Sequence, residues 1–167
     1  VLEAHSSDYQ RPQAYRELIR DGFSILKVGP ALTFALREML YALAAIEREL
    51  VREAEQSHLV EMMEAIMLAH PGNWQKYYRG SAEHQRLLRV YSYSDRIRYY
   101  WPEPPAKAAV DAVMRRLEGQ VIPETLISQY LARVYPDVVS GTLAATARDL
   151  CLAAIDAALE PYYVAVS

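Results

Sequence analysis

The chain has 167 residues, 52% of them hydrophobic and 23% charged, with a formal net charge of −3 and an isoelectric point near 5.8. That length suits one domain, or one small domain plus part of another. The acidic balance excludes a chain-wide pull toward nucleic acid or an anionic membrane. No apolar run approaches the ~18 residues of a membrane-spanning helix, and the single Cys151 excludes an internal disulfide and a cysteine-based zinc site. A reducing, cytoplasmic setting fits this cysteine usage, and no basic segment leading into an apolar one marks a secretory signal.

In chain order, Val1–Ala4 reads as a strand that runs into the polar turn His5-Ser6-Ser7-Asp8. A helix follows over Gln13–Asp21, then a strand over Phe23–Val28, broken at Gly29-Pro30. Strand, helix, strand, helix is the pattern of parallel α/β units. Two parallel strands need covering on both faces, so this pattern predicts that most of their sheet lies outside these residues. The chain therefore reads as the C-terminal part of a larger barrel-type protein.

Pro30 suits a first helical position. Leu32, Leu36, Met39, Leu40, Leu43, Ile46 and Leu50 fall on one apolar stripe, ending near Val51–Glu55, with Arg37, Glu38, Glu47 and Arg48 mostly off it. From Ser57 onward the strand signal vanishes. Ser57 is the expected cap of a helix that stops at His70-Pro71-Gly72. Further helices are expected over Trp74–Arg79, Glu83–Tyr91, a turn capped by Ser94, Ala106–Leu117, Glu124–Leu131 and Leu143–Leu159. The fold class is thus mostly α with two N-terminal parallel strands, divided into segments 1–52 and 53–167.

Three constellations carry possible chemistry. His5-Ser6-Ser7-Asp8 follows a strand, where α/β barrels place their active sites. His5 there reads as a metal ligand or as a hydrogen-bonded loop histidine. Lys27-Val28-Gly29-Pro30-Ala31-Leu32-Thr33 joins a strand to a helix whose free N–H groups and positive end suit an anion, the alternative being a plain turn. The run Tyr91–Pro102 interleaves aromatics with Arg96 and Arg98. It reads as packing of a helical subdomain, with an arginine paired to Asp95 or another acid, or as a subunit contact through Tyr99, Tyr100 and Trp101; base stacking is disfavoured by the net charge. Cys151 lies on an apolar helix face as an inert core thiol. The residues contain no Walker motif and no Gly-x-Gly-x-x-Gly.

Several blocks in order bear a family likeness: Glu3-Ala4-His5-Ser6-Ser7-Asp8-Tyr9-Gln10, Ile25-Leu26-Lys27-Val28-Gly29-Pro30-Ala31-Leu32-Thr33-Phe34-Ala35-Leu36-Arg37-Glu38, Trp74-Gln75-Lys76-Tyr77-Tyr78, Ser92-Tyr93-Ser94-Asp95-Arg96-Ile97-Arg98-Tyr99-Tyr100-Trp101-Pro102 and Ile127-Ser128-Gln129-Tyr130-Leu131. Together they resemble the accessory, non-catalytic subunit of D-tagatose-1,6-bisphosphate aldolase, of the galactitol and N-acetylgalactosamine pathways. The likeness runs from Val1 to about Leu131; Ala132 departs from the family's usual Pro.

The resemblance implies a (β/α)8 TIM barrel, whose last two βα units are residues 1–52, followed by a helical addition over 53–167. It places the chain beside the class II zinc-dependent aldolases. In those, a strand-end His ligates zinc and a Lys-Val-Asn turn holds the phosphosugar. His5 falls at the first position and Lys27-Val28-Gly29 at the second, with Ser7, Asp8, Lys27, Gly29 and Ala31 as candidate substrate or phosphate contacts. Ser6 stands where those enzymes have glycine, and Gly29 where they have the substrate-binding Asn, which implies impaired orientation of an enolate. The expected role is support of a catalytic class II subunit that carries the zinc, with a homo-oligomer also compatible. The alternative is an enzyme acting on a phosphosugar itself, such as a tagatose-6-phosphate kinase.

Overall fold

A computed structural model describes residues 1–166, and the side chains of 1–165. Strand β1 (Leu2–Ala4), helix α1 (Pro12–Arg20), strand β2 (Phe23–Leu26) and helix α2 (Pro30–Leu50) come first. Helices α3 (Leu59–Ala69), α4 (Ala82–Tyr91), α5 (Pro104–Leu117), α6 (Glu124–Tyr130), α7 (Tyr135–Val139) and α8 (Ala147–Val166) follow, with short 3-10 turns at Glu53–Glu55, Pro71–Asn73 and Arg96–Tyr99. The mostly helical fold with two parallel N-terminal strands is as the sequence predicts.

β1 and β2 pair in parallel, Leu2 with Phe23, Glu3 with Ile25 and Ala4 with Leu26. The link works because α1 ends in Gly22 at φ 93, a left-handed position that Gly adopts without penalty and that turns the chain into β2. The sheet is bare: Val1, Leu2 (55% exposed) and Ile25 keep their apolar side chains in water.

Helix α2 is the hub. It packs against α3, α5, α6 and α8, and Met39, Leu40, Leu43, Ala44 and Ile46 are buried along it. The core runs on through Leu59, Met63, Trp74, Ile97, Tyr100, Val113, Ile127 and Leu150. Each such aliphatic side chain contributes ~1.5–3 kcal/mol when fully buried. Because partners surround α2, a single stripe understates its burial, and Arg37 and Glu47 are buried as well, not off the apolar face. Helix α8 returns to pack on both α1 and α2. No helix among the described residues is long and apolar enough to cross a membrane.

Several local expectations change. Ser57 does not cap α3; His58 occupies that position at φ 49, and Ser57 instead gives its N–H (3.0 Å) and its hydroxyl to the buried Glu47 carboxylate. Residues 74–77 form hydrogen-bonded turns and 78–79 carry no regular structure, in place of a helix, because Trp74 and Tyr78 are anchored inward, the Trp74 indole donating to the Met67 carbonyl at 2.7 Å. Asp95, not Ser94, precedes the Arg96–Tyr99 turn. Helix α8 starts at Ala147, where Thr146 Oγ1 accepts the Asp149 N–H, leaving Leu143 outside it. α7 was not foreseen; Pro136 at its start and five-residue length give it no periodic pattern.

Glu47 also faces Arg116 of α5 at 3.4 Å, so one carboxylate ties α2, the turn after it and α5. Removing it strands these donors without a partner. Glu47→Ala should cost about 1–3 kcal/mol in urea unfolding, since Ser57 and the partly hydrated Arg116 lose their acceptor, whereas the exposed pair Arg52–Glu55 should be worth well under ~1 kcal/mol.

Candidate functional site

The chain leaves β1 through Ser6 at φ 55 and Tyr9 at φ 61, both left-handed. These two turns bring Ser7 and Asp8, both buried, against the end of β2. Ser7 donates its hydroxyl to the Lys27 carbonyl at 3.0 Å and lies 3.3 Å from the Tyr162 hydroxyl of α8. Asp8 Oδ1 accepts the N–H of Gly29 at 2.8 Å and of Ala31 at 3.3 Å. The unpaired N–H groups and positive end that make a helix start attractive to an anion are therefore met by a carboxylate of the chain itself. Gly29 is required for the fit: a Cβ there would stand 2.6 Å from Asp8 Oδ2.

The structure thus gathers Ser7, Asp8, Gly29 and Ala31 in one place, with Lys27 beside them. The Lys27 ammonium turns instead to Glu3, 2.5 Å away and half-exposed. His5 is exposed, with Nε2 3.4 Å from the same Glu3 carboxylate. One histidine and one carboxylate already paired with a lysine do not make a zinc site by themselves, and no group of three His, Cys, Asp or Glu converges among the described residues.

Beside this cradle lies the aromatic segment. Tyr93 packs on Tyr9 (4.6 Å between centroids) and on Phe34 (5.1 Å), and Tyr9 donates its hydroxyl to the Tyr93 carbonyl at 3.1 Å. Asp95, 2% exposed and at φ 45, has Oδ2 2.5 Å from the Thr33 hydroxyl in the first turn of α2. Burial holds the Asp95 carboxyl above its usual 3.8, against the pull of the Thr33 hydrogen bond and of the Arg37 charge. Arg96 and Arg98 do not pair with Asp95's carboxylate. Arg96 donates to the Asn73 carbonyl and stacks 3.5 Å over Tyr77; Arg98 donates to the Ser94 and Asp95 carbonyls and to the Tyr99 hydroxyl at 2.8 Å.

The three residues considered for a subunit contact separate. Tyr100 is 1% exposed and donates its hydroxyl to the His70 carbonyl, so it belongs to the core. Trp101 is half-buried and lines an apolar cleft together with Leu36, Leu40, Val110 and Met114. Tyr99 alone is open, 44% exposed. Burial pushes the Cys151 thiol up to about 11, which leaves it unreactive.

A family profile described as D-tagatose-1,6-bisphosphate aldolase subunit GatZ/KbaZ-like matches residues 1–167. The chain belongs to this family. The GatZ/KbaZ-like assignment agrees with the likeness read from the sequence. In structure the chain is similar to a crystal structure of a probable tagatose 6 phosphate kinase from Sinorhizobium meliloti 1021, with a TM-score of 0.95 and 59% identity. The match covers 99% of this chain but 43% of that one.

Sequence reasoning passed over Phe34, Arg37 and Tyr9 in this GatZ/KbaZ-like chain, and reached Thr33 only as the end of the second candidate turn. A usable signal existed for Arg37: Phe34 and Tyr41 sit three residues before and four after it, on the same helix face. Two outcomes follow from the geometry. Gly29→Ala should destabilise by about 1–3 kcal/mol through the clash with Asp8, and Asp8→Ala in the same chain should recover part of that loss in a double-mutant cycle. Because the Asp95 pKa is raised on folding, its ionisation weakens the folded state as pH climbs above 3.8 toward the raised value, and the loss persists above it. In Asp95→Asn, urea midpoints across a pH series should lack that share of the decline.

Proposed function

We propose that this chain is part of an accessory subunit of a tagatose-bisphosphate aldolase, supporting a catalytic, zinc-carrying class II partner rather than turning over substrate alone. The observation that carries this reading is the Asp8 carboxylate on the Gly29 and Ala31 amides. In the aldolases that this chain resembles, such a turn receives the phosphosugar; here a fixed negative charge stands in the way of another. Phosphate could use this cradle only by displacing Asp8. The paired state of Lys27 with Glu3 points the same way. Zinc, if the assembly uses it, draws all but one of its ligands from outside the described residues, His5 being the candidate within them.

The β1–α1–β2–α2 order and the bare sheet support a further part of the proposal: residues 1–52 are the last two units of a (β/α)8 barrel and 53–167 its helical addition. A cytoplasmic enzyme of galactitol or N-acetylgalactosamine breakdown fits this assignment. The exposed Tyr99 is the one member of the aromatic trio placed to meet a partner subunit.

The name given to the Sinorhizobium structure favours a second reading, a kinase acting on tagatose 6-phosphate. One experiment separates the two. Full-length protein is co-expressed with the catalytic subunit, and aldol cleavage of tagatose 1,6-bisphosphate is followed with and without it. The accessory reading expects co-purification, a more active or longer-lived partner, and no cleavage by the full-length protein alone. Failure to associate with the partner sinks it, and ATP-dependent phosphorylation of tagatose 6-phosphate by the protein alone replaces it with the kinase.

A further inference from the structure

Two buried arginines of this chain stack on aromatic rings, and one of them lacks its acid. Arg89 lies 4.6 Å over Trp74. Its Nε bonds Glu64 Oε2 at 2.9 Å, and its Nη2 bonds Oε1. Nε and Nη2 share one edge of the planar guanidinium, the edge whose two parallel N–H groups match two oxygens of a carboxylate or phosphate.

Arg37 repeats the arrangement without the partner. Its guanidinium lies 4.2 Å over Phe34, with Tyr41 and Tyr91 at 6.0 and 5.7 Å. Arg37 is 3% exposed, and the same two nitrogens, Nε and Nη2, are buried with no hydrogen-bond partner among the described residues. A charged fork taken out of water and left empty loses its hydration with no return. Asp95 does not fill it: Oδ2 is spent on Thr33, and Oδ1 is likewise unpaired among the described residues.

Residues 92–95 link α4 to the Arg96–Tyr99 turn with no regular structure. They rest on α2 through Tyr93 against Phe34 and through Asp95 against Thr33. Asp95 holds a left-handed backbone, which costs energy for a residue other than glycine. Lifting this strap releases the Thr33 hydroxyl from Asp95 and leaves the Pro30 carbonyl, 3.1 Å away, as its other acceptor. Thr33 and Arg37 are four residues apart on α2 and so share a face. Together they offer three donors, the number of terminal oxygens on a phosphate monoester.

We propose that the Nε/Nη2 edge of Arg37, with Thr33, is a binding site for a phosphate monoester, reached when the 92–95 strap lifts and latched shut when empty by the contact between Thr33 and Asp95. This site is separate from the cradle that Asp8 fills.

The test uses the full-length protein, its thermal unfolding followed during titration with inorganic phosphate, a hexose 6-phosphate and the unphosphorylated hexose. Both phosphates should raise Tm saturably and the free sugar should not. Arg37→Met should abolish the rise while leaving the unliganded Tm unchanged or higher, since an apolar chain replaces an unpaired charge. Arg37→Lys, which keeps the charge but loses the fork, should bind phosphate at least ~10-fold more weakly. Arg89→Met should lower the unliganded Tm by stranding Glu64. The proposal is overturned if phosphate leaves wild-type Tm unmoved, or if the rise survives in Arg37→Met. It is also overturned if Arg37→Met destabilises the unliganded protein as Arg89→Met does, because a carboxylate elsewhere in the full protein would then already fill that edge. None of these measurements involves the catalytic subunit, so the site and the accessory role stand or fall separately.

Discussion

The bond from the Asp8 carboxylate to the start of α2 is the constraint on which the arrangement of this chain rests. It joins the turn after β1 to the turn after β2, and so fixes the direction in which α2 leaves the sheet. A helix of 21 residues magnifies any error in that direction along its ~30 Å length. Helices α3, α5, α6 and α8 are all packed against α2. A carboxylate suits the task because it answers both the unsatisfied amides and the positive end of the helix, and the missing Cβ of Gly29 gives it room.

Buried charge on α2 serves two different ends. Glu47 is fully committed, taking Ser57 and Arg116 and so locking the passage from the α/β segment into the helical one. Ten residues earlier, Arg37 stands among aromatic rings with one edge unused. A chain under selection for stability alone has little reason to keep such a group, because an apolar side chain of similar volume would cost less to bury. The same helix thus carries a structural charge at one end and an uncommitted one near the other.

Much of this was legible in the sequence. The order of the first four elements followed from two short β-rich runs, Gly29-Pro30 and an unbroken apolar periodicity. The turn residues Ser7, Asp8, Gly29 and Ala31 were found because a strand end followed by a helix start is a recognisable site of chemistry. What they do to one another was not legible: whether the helix start is open or filled depends on the turns at Ser6 and Tyr9, whose left-handed backbone no propensity foretells. Arg37 and Glu47 were misread because periodicity reports one buried face, while α2 is covered on several sides by elements distant in sequence. Residues 74–79 were misread as a helix because inward anchoring of Trp74 and Tyr78 outweighed local preference. Ser57 was misread as a cap because its hydroxyl had a better acceptor in Glu47.

The contact between Ser7 and Tyr162 spans 155 positions of chain, and Tyr15 backs it with a ring 4.6 Å from Tyr162. Long loops close late and at an entropic cost. During synthesis α8 leaves the ribosome last of the described elements, so the Ser7–Asp8 turn waits uncovered until translation of this stretch is nearly done. A nascent chain that stalls before Tyr162 can bury Leu150 at the start of α8 yet leaves open the corner where its two strands end.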